Sequence, residues 1–192
     1  MKENSEIRIA SEYRGYDSYF KVDIARIEEI DGGKVSSTYD RFKLTRPDAV
    51  GILVYNEDSK KVILVKQFRY PIIHHTKENV LEIVAGKIDS GETPKQSAVR
   101  ELFEEIGYKI TEERLGNAME IFASPGYSTE KIYIFLAVVK NSDKEYGCGG
   151  GLESEHENIE IVEMDIQEFV KKIKTNEIKD SKTIISSNLI NI

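Results

Sequence analysis

A chain of 192 residues, 40% hydrophobic and 32% charged, can bury a core without covalent staples, and with four prolines and no low-complexity tract it excludes long disordered arms. A net charge of -7 without a basic block argues against nucleic-acid partners, which need clustered cations to neutralise phosphates. The single cysteine, Cys148, cannot form an intramolecular disulfide, MKENSEIRIA lacks the apolar core of a signal peptide, and no apolar run approaches the ~20 residues of a membrane helix. A cytoplasmic protein without a membrane partner is therefore expected.

In chain order, residues 19–27 (YFKVDIARI) place Phe20, Val22 and Ile24 on one side of a strand, and Asp31-Gly32-Gly33 forms a hairpin turn before residues 34–39. These strands are few and polar-edged, so the thin sheet they form needs the main domain or another chain beside it. We read residues 1–46 as an N-terminal β subdomain that dimerises and residues 47–192 as the main domain. Strands follow at 49–56 and 61–68, with a turn at 57–60, and NVLEIVA at 79–85 leads into Gly86. A helix is predicted over 93–106: Pro94 suits its first turn, Gly107 its end, and Ala98, Val99, Leu102, Phe103 and Ile106 supply an apolar face. Strands at 118–122, 132–139 and 159–164 and covering helices at 166–173 and 181–189 complete an α/β (α+β) architecture with a small antiparallel N-terminal sheet.

The chemistry concentrates on that first long helix. Glu101, Glu104 and Glu105 lie within five residues, and like charges so close repel one another unless a cation lies between them. Hard oxygen donors without His or Cys suit Mg²⁺ or Mn²⁺. The same residues also allow a solvated face on which Arg100 pairs with Glu104 one turn on.

The segment GKIDSGETPKQSAVRELFEEIGY, residues 86–108, resembles the signature of the Nudix hydrolases. That pattern is Gly, five residues, Glu, seven residues, Arg-Glu, an aliphatic, any residue, Glu-Glu, any residue, Gly and an aliphatic. Gly86, Glu92, Arg100, Glu101, Leu102, Glu104, Glu105 and Gly107 fit it, and Tyr108 departs from it. The resemblance implies an alpha-beta-alpha sandwich with a mixed sheet. It implies Glu101 and Glu105 as principal metal ligands, with Glu104 and the Ala85 carbonyl contributing and Glu104 and Glu105 serving catalysis. Glu92 and Arg100 become a salt bridge clamping the loop on the helix, with Gly86 and Gly107 structural. Mg²⁺ is the implied cofactor, with Mn²⁺ as an alternative, and the implied reaction is hydrolysis of a diphosphate bond.

Flanking segments narrow the resemblance. VKQFRY (65–70), LEIVAG (81–86), SPGYSTE (124–130) and GGGLESEHENIEIV (149–162) are similar to the sugar-nucleotide pyrophosphatase branch, which holds ADP-ribose and GDP-mannose pyrophosphatases. By that resemblance Arg69 and Arg46 contact the nucleotide or diphosphate, Gly126 and Tyr127 border the substrate loop, and Glu130 bonds sugar hydroxyls. Each has a plainer reading as an exposed strand-end or turn residue. Glu155 falls where the general base is expected and Glu157 where a further metal ligand is expected, with Glu153 able to exchange roles; alone, the loop after Gly149–Gly151 reads as solvated and glycine-hinged. His74 and His75 point different ways on an extended segment, and neither they nor His156 is assigned to metal. The expected substrate is ADP-ribose, with GDP-mannose as the alternative and a non-catalytic nucleotide-sugar binding module as a third reading.

Overall fold

The computed structural model describes residues 6–152 and 158–190. The chain divides into two compact units, Met1–Asp48 with Phe122–Lys131, and Ala49–Ile121 with Ile132–Ile192. Among the described residues no helix is long and apolar enough to cross a membrane.

The first unit holds an antiparallel sheet of β1 (Glu6–Asp17), β2 (Lys21–Asp31) and β3 (Lys34–Thr45) in that order. The β2–β3 hairpin turns at Gly32 and Gly33, whose φ angles of 57° and 80° need glycine. β1 escapes the sequence reading because its register shifts between Ile9 and Ser11 and between Arg14 and Tyr16. Each shift breaks the two-residue alternation by which a strand is recognised.

The second unit is built on a seven-stranded sheet. β4 (Ala49–Asn56) and β5 (Lys61–Gln67) pair antiparallel, and β6 (Val80–Glu82) and β7 (Val84–Lys87) pair with β5 and β4 respectively. β9 (Lys131–Val139) runs parallel to β4, β8 (Met119–Phe122) lies beyond it, and β10 (Glu160–Asp165) closes the other edge, giving a mixed sheet ordered β10-β5-β4-β9-β8. The expected single strand at 79–85 is thus two. Ile83 interrupts the run, and its N–H bonds Thr183 Oγ1 at 2.8 Å instead of a strand.

Side chains alternate between the two faces of the sheet. Val50, Ile52 and Val54 of β4 and Ile63 and Val65 of β5 join Ala98, Leu102 and Ile106 of α1 (Pro94–Ile106). Leu53, Val62 and Leu64 join Phe169 of α2 (Ile166–Lys174), while Ile184 and Ile185 of α3 (Ser181–Ser186) pack on the same cluster. Both faces are buried, which is why these strands read as near-continuous apolar runs, and helices on both sides make the sandwich the signature implied.

Candidate active site

Local signals hold α1 in register. Thr93 caps its start, exchanging bonds with Gln96 in a capping box, and Pro94 occupies the first turn. Gly107 ends it at φ 70°, its N–H turning back to the carbonyls of Leu102 and Phe103. One helical stripe, Ser97–Glu101–Glu105, therefore runs beside the apolar stripe Ala98–Leu102–Ile106, and Glu105 is carried into the packed body, only 1% exposed.

β7 lies against that stripe. The Ala85 N–H donates to Glu105 Oε2 at 3.3 Å. The Gly86 position is so close to Glu101 that a β-carbon there would lie 1.8 Å from its Oε1. Ala85, Gly86, Glu101 and Glu105, distant in sequence, are thereby brought together. The Glu101 and Glu105 carboxylates are hard oxygen donors of the kind a divalent cation takes, and the missing β-carbon of Gly86 leaves room beside Glu101.

Arg100 supplies the positive charge of this region. Its Nη1 donates to Glu101 at 2.8 Å and Glu104 at 2.9 Å. Among the described residues no three acidic, His or Cys side chains are grouped as a metal-ligand set, which departs from the expected cluster of Glu101, Glu104 and Glu105. Its Nε and Nη2 each lie 3.0 Å from Glu92, and Nη2 also reaches the Lys87 carbonyl at 3.0 Å, tying the loop before α1 to the helix. The guanidinium and the Ser97 hydroxyl hold the Glu92 carboxyl down at about 2, against a usual value near 4.5. Because the folded value is depressed, this stabilisation is complete above about pH 4.5 and is lost as pH falls toward 2. Glu92→Gln is therefore expected to flatten the acid limb of a melting-temperature profile across that window, and a limb as steep as wild type would refute the clamp.

The glycines at 149–151, read as hinges, pack instead on the end of α1. Gly150 and Gly151 donate to the carbonyls of Glu105 and Glu104 at 2.8 and 3.2 Å, and Ile159 donates to Gly150 at 3.2 Å. A β-carbon on Gly149 would meet Gly107 N at 2.8 Å, and all three φ angles are left-handed, so all three positions favour glycine by conformation and Gly149 also by close approach. Tyr108, which departs from the signature, is buried beneath a lysine. Lys144 lies 4.9 Å over its ring and donates to the Ile106 carbonyl, capping the helix. Glu153, Glu155, His156 and Glu157 lie outside the described residues.

Arg69, after β5, forks onto Glu82 of β6 through Nε at 2.7 Å and Nη2 at 3.0 Å. Glu82, 2% exposed, also accepts from Lys182. Burial opposes its ionisation, yet the bonds and charges of Arg69 and Lys182 outweigh burial and leave its pKa below the ordinary value. Sequence reasoning overlooked Glu82 and Lys182. The available signal was an acid inside the apolar run VLEIVA, which has to find a cation when buried.

The other expected substrate residues lie in the first unit. The turn at 124–128 closes through Tyr127 and Ser128 N–H bonds to Ser124, and Leu44 of β3 bonds Tyr127 and Thr129. Arg46 and Glu130 approach to 3.4 Å, with Arg46 5.7 Å over the Phe20 ring. Arg46, Gly126, Tyr127 and Glu130 are therefore one neighbourhood, with Gly126 and Tyr127 exposed. His74 and His75 are exposed beside a short 3₁₀ turn at Tyr70–Ile72.

The NUDIX domain pattern matches residues 45–184. The chain is 34% identical over 158 residues to the ADP-ribose pyrophosphatase of Bacillus subtilis (strain 168), covering 81% of this chain and 76% of that protein. It is 35% identical over 147 residues to the GDP-mannose pyrophosphatases of Escherichia coli O1:K1 / APEC and of Citrobacter koseri, covering 76% of this chain and 74% of each.

Proposed function

The chain belongs to the Nudix family, hydrolases acting on nucleoside diphosphate derivatives, and on that premise we propose that it cleaves ADP-ribose with water to AMP and ribose 5-phosphate, using Mg²⁺. The observation that carries the reading is the meeting of Ala85 and Gly86 with Glu101 and Glu105 where β7 abuts α1. Glu101 and Glu105, with Glu104 and the Ala85 carbonyl, would hold the cation, and Mn²⁺ could replace Mg²⁺. When bound, the ion neutralises diphosphate charge and lowers the pKa of a water ligand. In the proposed chemistry Glu155 would take a proton from water as the water oxygen bonds one phosphorus of the anhydride and the bridging oxygen departs with the other phosphate, and Glu157 would add a further carboxylate to the metal site. Arg69 contacts the diphosphate through Nη1, the nitrogen that its fork onto Glu82 does not use, since a guanidinium N–H suits phosphate oxygens. Arg46, Gly126, Tyr127 and Glu130 recognise the rest of the nucleotide sugar.

ADP-ribose is placed ahead of GDP-mannose because SPGYSTE and the acidic loop resemble the ADP-ribose class; relatives of both kinds are nearly equally similar to the chain. With Mg²⁺ present, initial rates are expected to favour ADP-ribose, and removing the ion with a chelator is expected to abolish turnover. A preference of about tenfold or more for GDP-mannose would reverse the order of substrates. Binding of ADP-ribose without metal, with no product over hours, would replace the enzyme by a binding module.

A homodimer in the cytoplasm completes the proposal. On one face of the three-stranded sheet, the cross-strand rows Tyr16–Val22–Leu44 and Tyr13–Ile24–Phe42 form an apolar patch, with Tyr13, Tyr16 and Phe42 more than half exposed. A patch of this kind calls for a second copy. Sedimentation at micromolar concentration should show a dimer that Phe42→Asp dissociates, and a wild-type monomer alone would refute it.

A further inference from the structure

Four charged side chains meet where β6 ends. Lys182 Nζ bonds Glu82 and lies 2.9 Å from Asp180, while Arg69 grips Glu82 from its other side. Asp180 caps α3, accepting from Thr183 N at 2.9 Å and Thr183 Oγ1 at 2.6 Å, and that hydroxyl accepts from Ile83 N at 2.8 Å. The start of α3 is thus fastened to Ile83, the residue between β6 and β7.

The two cations of this quartet differ in access. The Lys182 side chain is 13% exposed and that of Arg69 40%. The clamp on Glu82 takes Nε and Nη2 of Arg69, and among the described residues Nη1 is left to bond another acceptor. Glu82 is almost completely buried, and a buried carboxylate must keep a cation. With Arg69 as its sole partner, Glu82 and a phosphate would compete for one charge. A second cation on the inner side removes that competition while the fork keeps its direction.

We propose that Lys182 is a positioning residue for the diphosphate: by neutralising Glu82 from within, it leaves the charge of Arg69 for the substrate while Glu82 fixes the fork's orientation. This rests on the reading of Arg69 as a diphosphate contact. Lys182 itself touches no substrate.

The test is a double-mutant cycle on the full chain with Mg²⁺, using ADP-ribose and, in parallel, GDP-mannose. Arg69→Gln and Lys182→Met are each expected to raise KM about tenfold with kcat within about twofold, the pattern of a lost binding contact. In the Arg69→Gln background Lys182→Met should add nothing to KM, and Lys182→Arg should restore the wild-type value. Should Lys182→Met fail to fold, Lys182→Gln carries the same comparison. Lys182→Met at wild-type KM, or with an equal effect in both backgrounds, overturns the positioning role while Arg69→Gln still reports on Arg69. A wild-type KM in Arg69→Gln, or no turnover of either sugar nucleotide, sinks the underlying reading and this inference with it.

Discussion

Glu105→Gln is expected to lower kcat about a thousandfold while leaving the metal-free protein at least as stable as wild type. Glu105 is 1% exposed and takes the Ala85 N–H at 3.3 Å. The amide has nearly the same volume and its oxygen can accept the same bond, so packing survives. What disappears is a buried negative charge beside Glu101 and Glu104. In the metal-free protein that loss relieves repulsion. In the presence of Mg²⁺ it removes a ligand charge on which the proposed chemistry depends. Two measurements separate these effects. Mg²⁺ should raise the wild-type melting temperature, because a ligand that binds only the folded state stabilises it, and should not raise that of the variant. Near-normal turnover by Glu105→Gln would sink the assignment of α1 as the metal helix.

Gly86→Ala and Gly107→Ala should fail in opposite ways, although both glycines belong to one signature. At Gly86 the φ angle is not left-handed, so alanine costs no backbone strain. Its β-carbon would lie 1.8 Å from Glu101 Oε1 and 1.9 Å from Cδ, the far end of a side chain that can swing aside. The fold tolerates that swing, but the carboxylate leaves its place. We expect Gly86→Ala to lose about a hundredfold in kcat with little change in melting temperature. At Gly107 φ is 70°, and the new carbon would meet the Cys148 carbonyl oxygen at 2.5 Å and its carbon at 2.9 Å. Backbone cannot swing aside, and left-handed strain adds to the clash, so Gly107→Ala should cost about 2–4 kcal/mol of stability. Denaturant melts and kinetics on both variants check the contrast. Equal destabilisation by the two would refute the distinction.

Some elements were legible because their cause is local. α1 could be read residue by residue: Thr93, Pro94, Gln96 and Gly107 act over five positions or fewer, and the stripe Ser97–Glu101–Glu105 follows from 3.6 residues per turn. Other elements depended on neighbours. NVLEIVA reads as one strand, yet its first half pairs with β5 and its second with β4, a division that nothing within the seven residues encodes. β1 was hidden by two register shifts. The glycines at 149–151 looked like hinges because their partners, the carbonyls ending α1, lie more than forty residues earlier.

The candidate site divides in the same way. The sequence by itself determined which carboxylates share a helical stripe, where the helix begins and ends, and the family, because these rest on residue type at short spacing. Only the tertiary structure decided that β7 lies against that stripe, that Arg100 adds Glu101 to its expected partners Glu92 and Glu104, and that Arg69 shares Glu82 with Lys182. The physical reason is range. Caps and helical stripes follow from the geometry of one turn, whereas a buried charge finds its partner only after strands and helices distant in the chain have packed.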